Sequence, residues 1–271
     1  MQREIDKMEK TADTAAGRNG NVSVVAGTEG PEISFRGVTK RFGDLVAVDN
    51  LDLDIAKGQL VALLGKTGCG KSTMFNMISG LSAPTDGEVR VMGRNPFTEF
   101  DWYRGKMAIV FQSDRLLPWR TAVKNVEFGL ESLGISRAER RERAMYWLEK
   151  LGLKGHENDY PHALSGGMRQ RVSISRAFAT DAELLLCDEP FSALDEMTSK
   201  RLRTEFARLV KENRKTAVFI THSIDEAFDI GDRIVVLKRP AEIAHDLKIE
   251  GEIGAAERER YRRMIHESLA A

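Results

Sequence analysis

Cysteine is nearly absent from this chain of 271 residues: Cys69 and Cys187 are the only two. Two cysteines make no disulfide framework, which excludes the small stapled secreted folds, and the composition suits a reducing compartment, so we expect a cytosolic protein. Long apolar runs are missing too. No stretch approaches the roughly 18 residues needed to cross a bilayer, and the opening MQREIDKMEK lacks the apolar core of a secretory signal. The chain is not expected to span a membrane by itself. Net charge is also lacking, because 41 basic residues balance 41 acidic ones. No whole-molecule field draws the protein to nucleic acid or anionic lipid, and a partner must be chosen by local surface. Internal repeats and heptads are not found either.

What is present is a chain that is 42% hydrophobic, enough for a large core. Residues 1–30 are polar and aperiodic and read as a disordered extension, with a domain over 31–240 and a tail over 241–271. EISFRGVTKRF and VDNLDLDI alternate with period two, as half-buried strands do, whereas QLVALLG and KMAIVFQ are short continuous apolar runs, as in strands covered on both faces. Between about 113 and 180 the pattern turns helical, over 122–134, 137–151 and 168–180, which makes this stretch a helical insert. Strands return as ELLLCDE, TAVFITH and DRIVVLK, separated by helical stretches 197–213 and 224–230, and ERERYRRMIHESL reads as a surface helix in the tail. Alternating strands and helices imply an α/β fold with a mainly parallel sheet.

GKTGCGKS, residues 65–72, follows a buried strand and opens a helix. Gly65, Gly68 and Gly70 let the backbone turn its N–H groups inward at a helix N-terminus, where the helix dipole favours anions. Lys71 then reaches the β- and γ-phosphates of a nucleotide, and the Ser72 hydroxyl ligates Mg²⁺. Lys66, Thr67, Cys69 and Thr73 complete the phosphate-binding stretch. A glycine-rich turn is the plainer alternative, and the strand before and helix after weigh against it. LLLCDEP, 184–190, ends a strand on two acids. Asp188 suits Mg²⁺ at the sheet edge and Glu189 suits a general base for water; a pair of acids capping the next element is the competing reading. His222 closes another strand and Gln112 a fourth, placing both at the same crevice, with Gln112 a further metal ligand.

LSGGMRQR, 164–171, poses a different question, since two glycines weaken a helix that the following residues favour. Ser165, Gly166 and Gly167 supply a hydroxyl and open N–H groups at a helix start, which serves either as an N-cap or as a second anion site. One nucleotide needs only one cradle.

Together, GKTGCGKS, Gln112, LSGGMRQR, LLLCDEP, the SALD of 192–195 and the histidine of THS resemble, in order and spacing, the nucleotide-binding subunit of ATP-binding-cassette (ABC) transporters over about residues 32–240. The resemblance implies a P-loop NTPase core with an N-terminal antiparallel β subdomain and the inserted helical subdomain. It implies ATP and Mg²⁺ as ligands, and two copies packed head to tail so that Ser165–Gly167 of each clamps ATP on the other's phosphate loop. Glu189, His222 and Lys71 then carry hydrolysis. Phe42 falls where the family stacks an aromatic on adenine; a core strand aromatic is its other reading. Membrane permease subunits, a substrate-binding protein reached through them, no nucleic acid, and the cytoplasmic face of the inner membrane are the implied surroundings. SDRLLPWRTAVKNVEFGLE resembles the same segment in importers of nitrate, sulfonate, taurine and bicarbonate, and the lack of the C-terminal regulatory domain usual in sugar importers argues against those. Leu116, Leu117 and Trp119 then line a groove for a permease helix, or else pack in the core. Ser223, where Asp is frequent, and KRPAEIAHDLKIE depart from the family pattern. Exporter ATPases and soluble ABC ATPases are the rivals; the latter fit less well, since this chain has neither a coiled-coil insertion nor a second phosphate loop.

Overall fold

In chain order the elements are β1 (Ile33–Phe42), β2 (Leu45–Ile55), β3 (Leu60–Gly65), α1 (Lys71–Ile78), β4 (Asp86–Val91), β5 (Met107–Val110), α2 (Ala122–Ser132), α3 (Arg137–Lys150), α4 (Gly166–Ala179), β6 (Leu184–Asp188), α5 (Glu196–Glu212), β7 (Thr216–Thr221), α6 (Ile224–Ile230), β8 (Arg233–Lys238), β9 (Glu242–Lys248) and α7 (Ala255–Ala270). They come from a computed structural model that describes residues 30–192, 194–249, 251 and 253–270. The extension expected over 1–30 lies outside these residues but for Gly30.

Two sheets form. β2-β1-β4 is antiparallel, and β5-β6-β7-β3-β8-β9 is parallel except for β9 at one edge. The unbroken apolar runs are explained by what covers each face. In β7, Val218 and Ile220 pack with Phe35 of β1 and Met74 of α1, while Ala217 and Phe219 pack with Phe178 of α4 and Phe206 of α5. In β3, Val61 and Leu63 join the first of these cores, whereas Ala62 and Leu64 meet Phe228 of α6 and Ile265 of α7. Neither face is left to water, so alternation has no reason to appear.

One expectation needs correction. KMAIVFQ was expected to be a covered strand, but β5 is the edge of the six-stranded sheet, and only Val110 of its four residues is fully buried. The sheet also runs past residue 240: β9 pairs antiparallel with β8 from Arg233↔Lys248 to Lys238↔Glu242. The surface helix expected in the tail is α7, which docks through Ile265, wholly buried on the sheet.

The insert holds α2, α3 and α4, packed on one another around Trp147, Leu148 and Phe178. Its leading loop is pinned by one side chain. Asn125, completely buried, donates from Nδ2 to the carbonyls of Leu117, Arg120 and Thr121, and its Oδ1 accepts from Leu117 N at 2.7 Å. That accounts for the Asn in KNVEF: it satisfies backbone groups of LLPWR that the fold would otherwise strand away from water. The loop thereby splits its apolar residues, with Leu116 in the core and Trp119 71% exposed. Leu116 therefore follows the core reading, whereas Trp119 stays on the surface.

Candidate active site

Parallel strands end on one edge, and this brings the motifs together. β3 leads into the loop of residues 65–70, β6 ends at Asp188 beside Glu189, and β7, which lies between them, ends at Thr221 before His222. The loop is shaped by close packing: a Cβ on Gly65 would meet Cys69 Sγ and Leu237 O at 2.6 Å, and Gly68 and Gly70 sit at φ +81° and +109°. Gly70 caps α1 with no side chain of its own, and the first turn of that helix carries no acid. Its N–H groups stay open to an anion.

Lys71 is 5% exposed, and its Nζ donates to Gly65 O at 2.6 Å and Lys66 O at 3.0 Å. Among the described residues this buried ammonium forms no ion pair, so its charge is left for a ligand of opposite sign. Ser72 is exposed at the mouth of the loop. Asp188 titrates above its ordinary range, chiefly from burial and then from the charge of Glu189, with Lys71 and Arg115 opposing. The neighbouring Cys187 thiol is driven up by burial, which removes it as a thiolate nucleophile. Ser72, Asp188 and Gln112 offer one carboxylate and two neutral oxygens, a donor set that fits a hard cation sharing phosphate oxygens. No cluster of three or more His, Cys, Asp or Glu side chains suited to a metal occurs among the described residues.

Glu189 adopts φ +43°, its N–H bonded to Ile220 O at 3.0 Å, and its Oε2 lies 3.0 Å from His222 Nδ1. Gln112 does not turn its amide nitrogen into the crevice. Nε2 donates to Ser192 Oγ at 3.2 Å, and that hydroxyl donates to Glu189 O at 3.0 Å. A chain of contacts thus runs from the β5 edge to the histidine, and Ser192, the first residue of SALD, is its middle link, a contact that the motif by itself does not reveal. Ser223 explains its own departure from Asp: its Oγ caps α6 by accepting from Glu226 N at 3.3 Å, work that either residue does. Phe42 is 54% exposed, with Lys40 Nζ 5.1 Å from its ring centre, so it is not a core aromatic.

The second glycine motif stands apart. Ser165 caps α4, accepting from Met168 N at 3.3 Å, and the helix starts at Gly166, two residues before the helical pattern is legible. A Cβ on Gly167 would meet Thr198 Cγ2 at 3.0 Å, while one on Gly166 would meet nothing nearer than 3.9 Å. Within the chain, no hydrogen bond among the described residues joins 165–167 to 65–72.

Comparison with known proteins agrees with this layout. The model of the ABC transporter family matches residues 48–192, more than half of the chain. The chain belongs to the ABC transporter family. This cassette is an ATP hydrolase of the transport type. An uncharacterized ABC transporter ATP-binding protein of Methanocaldococcus jannaschii is 44% identical over 75% of this chain and 75% of its own length. A Fe(3+) ions import ATP-binding protein of Brucella abortus is 42% identical over 76% of this chain, which spans 58% of that protein. A dimeric ATP-binding cassette, solved in a post-hydrolysis state with ADP and Pi, matches with a TM-score of 0.71 at 36% identity, over 81% of this chain and 100% of that one. No helix among the described residues of the cassette is long and apolar enough to cross a membrane.

Proposed function

We propose that the chain is the ATP-hydrolysing subunit of an importer, working as a head-to-tail pair in which each phosphate loop is completed by the partner's Ser165, Gly166 and Gly167. The observation that carries this reading is the presence of two glycine-rich helix starts that share no hydrogen bond among the described residues of one chain. Domain limits of 31–240 for the ATPase with 113–180 as helical subdomain serve this reading, the sheet continuing through β9. Phe42 stacks on adenine, and the N–H groups from Gly65 to Thr73, together with Lys71, hold the phosphates. Ser72, Asp188 and Gln112 would hold Mg²⁺. Bound there, Mg²⁺ neutralises charge on the phosphate oxygens. Glu189 takes the proton of the attacking water, and His222, 3.0 Å away, fixes the direction in which that carboxylate points. Closing and reopening of the pair drives permease subunits at the cytoplasmic face of the membrane, with an extracytoplasmic binding protein delivering the cargo. The exposed Trp119 and Phe128 offer an apolar surface to a permease.

Complementation between half-sites tests the pairing. Lys71→Ala disables one cradle, and Gly166→Glu places a charged side chain where this fold leaves room and a partner's nucleotide does not. Each variant alone is expected to hydrolyse ATP at under about 1% of the parental rate. An equal mixture is expected to regain about a quarter, because half of randomly paired dimers keep one intact site of two. Absence of recovery, or full activity of Gly166→Glu by itself, removes the composite site.

The cargo is a small anion of the nitrate, sulfonate, taurine or bicarbonate kind, on the strength of the LLPW and NV segment that Asn125 organises. The Fe(3+) import relatives favour a second reading with ferric cargo. Reconstituted with its permease, the ATPase is expected to be stimulated several-fold by binding protein loaded with the anion. Stimulation by iron-loaded binding protein alone overturns the anion assignment and keeps the rest.

A further inference from the structure

Beyond the hydrolytic residues, the fold buries a cation. Arg203, in α5, has only 2% of its side chain exposed, yet it sits among three carboxylates: Glu196 at 3.0 Å, Asp229 at 3.2 Å and Glu226 at 3.3 Å. It also donates to Ser199 Oγ at 2.7 Å. These partners come from separate segments. Glu196 and Ser199 form the first turn of α5, directly after the 192–195 loop whose Ser192 touches Glu189. Glu226 belongs to α6 and accepts the hydroxyl of Thr221, which in turn accepts from Ser223 N at 3.0 Å, so the residues on both sides of His222 are held. Asp229 faces the other way as well: its Oδ1 accepts from Arg258 of α7 at 2.9 Å. Arg258 and Arg262 also bind Asp225, one turn nearer to the histidine.

From this bridge we infer that Arg203 and Arg258 are positioning residues through which helix α7 holds His222 in line with Glu189. The route is continuous: Arg258 to Asp229, Asp229 to Arg203, Arg203 to Glu226, Glu226 to Thr221, and Thr221 to the backbone beside His222. None of these side chains reaches the phosphate loop, and no sequence motif contains the set. The far end of α7 returns to the same place, because Arg262, His266 and Leu269 line a cavity of about 430 Å³ with Lys66 and His222. A helix so attached sets the geometry of hydrolysis without touching the nucleotide, and displacing it slackens one arm of the bridge. Burial stiffens the middle of the bridge: Arg203, Glu226 and Asp229 are largely out of water, where few alternative arrangements keep their charges paired.

The inference rests on His222 acting in hydrolysis, and the test separates the two. Arg258 is one-third exposed, so Arg258→Gln cuts the link from α7 to Asp229 and leaves the buried Arg203 with Glu196, Glu226 and Asp229. This variant is expected to lower kcat about threefold to tenfold with KM for ATP changed less than about twofold, and Arg258→Lys is expected to recover most of the loss. Combined with His222→Gln and followed by single-turnover hydrolysis, Arg258→Gln is expected to cost nothing more, since the group it aligns is gone. Parental kcat in Arg258→Gln, or an equal loss in the His222→Gln background, overturns the inference. Asp229→Asn cuts the same arm from α6 and decides the matter in the same way if the first variant does not fold. A His222→Gln protein with parental turnover refutes instead the hydrolytic role assigned above.

Discussion

Glu189→Gln is expected to slow ATP turnover by about 10²- to 10⁴-fold, the range that a positioned general base contributes, while ATP binding is kept. The side chain keeps its size, and nothing in the backbone objects: the φ of +43° and the bond from Glu189 N to Ile220 O do not depend on the charge. What is lost is the carboxylate 3.0 Å from His222. The same change removes the second of the two causes that hold Asp188 above its ordinary range, so Asp188 ionises more readily and metal-assisted ATP binding is not weakened. Binding without turnover leaves the pair closed. Single-turnover hydrolysis and size-exclusion chromatography with ATP read both effects, and a variant that turns over at the parental rate removes Glu189 from its role.

Gly70→Ala is expected to abolish ATP binding and to destabilise the fold as well. At φ +109° an alanine is strained by about 1–3 kcal/mol before any contact is counted. Its Cβ would then lie 2.5 Å from Ala47 O and 2.6 Å from Ala241 Cβ, and of these one is backbone. Overpacking of that kind adds about 1–3 kcal/mol. Each kcal/mol lowers Tm by about 2–4 °C in a domain of this size, so a fall on the order of 10 °C follows. Gly43→Ala is the control, since φ is +57° but nothing lies within 4 Å of the new carbon. It is expected to show the backbone cost alone and to keep ATP binding. Thermal melts and nucleotide titration distinguish the two, and a Gly70→Ala protein with parental Tm and affinity contradicts the account of the loop.

The parts of the fold legible in the sequence were those whose burial leaves a pattern. β3, β6 and β7 read as unbroken apolar runs because both faces are covered, and α6 was placed residue for residue at 224–230. β5 misled for the same reason: MAIV is as apolar as a central strand, and nothing local says that only β6 flanks it. β9 was missed because an edge strand with polar Glu242, His245 and Asp246 has little to distinguish it from a loop. The phosphate loop and the acids of LLLCDEP were visible because their chemistry is contiguous in the chain. Gln112 meeting Ser192, 80 residues away, was not visible, nor was Arg203 collecting carboxylates from two helices, since such pairings arise only when the chain is folded. Phe42 had two readings from its sequence alone, and exposure decides against the core one.

The lack of any hydrogen bond between residues 165–167 and 65–72 among the described residues of one chain has an economic side for the cell. On the head-to-tail reading, an isolated copy idles: it has a place to park fuel and no means to burn it. Consumption then scales with encounters between copies rather than with their number, and dilution becomes an off switch. Tethering two copies beneath one permease raises their local concentration and confines ATP expenditure to assembled transporters.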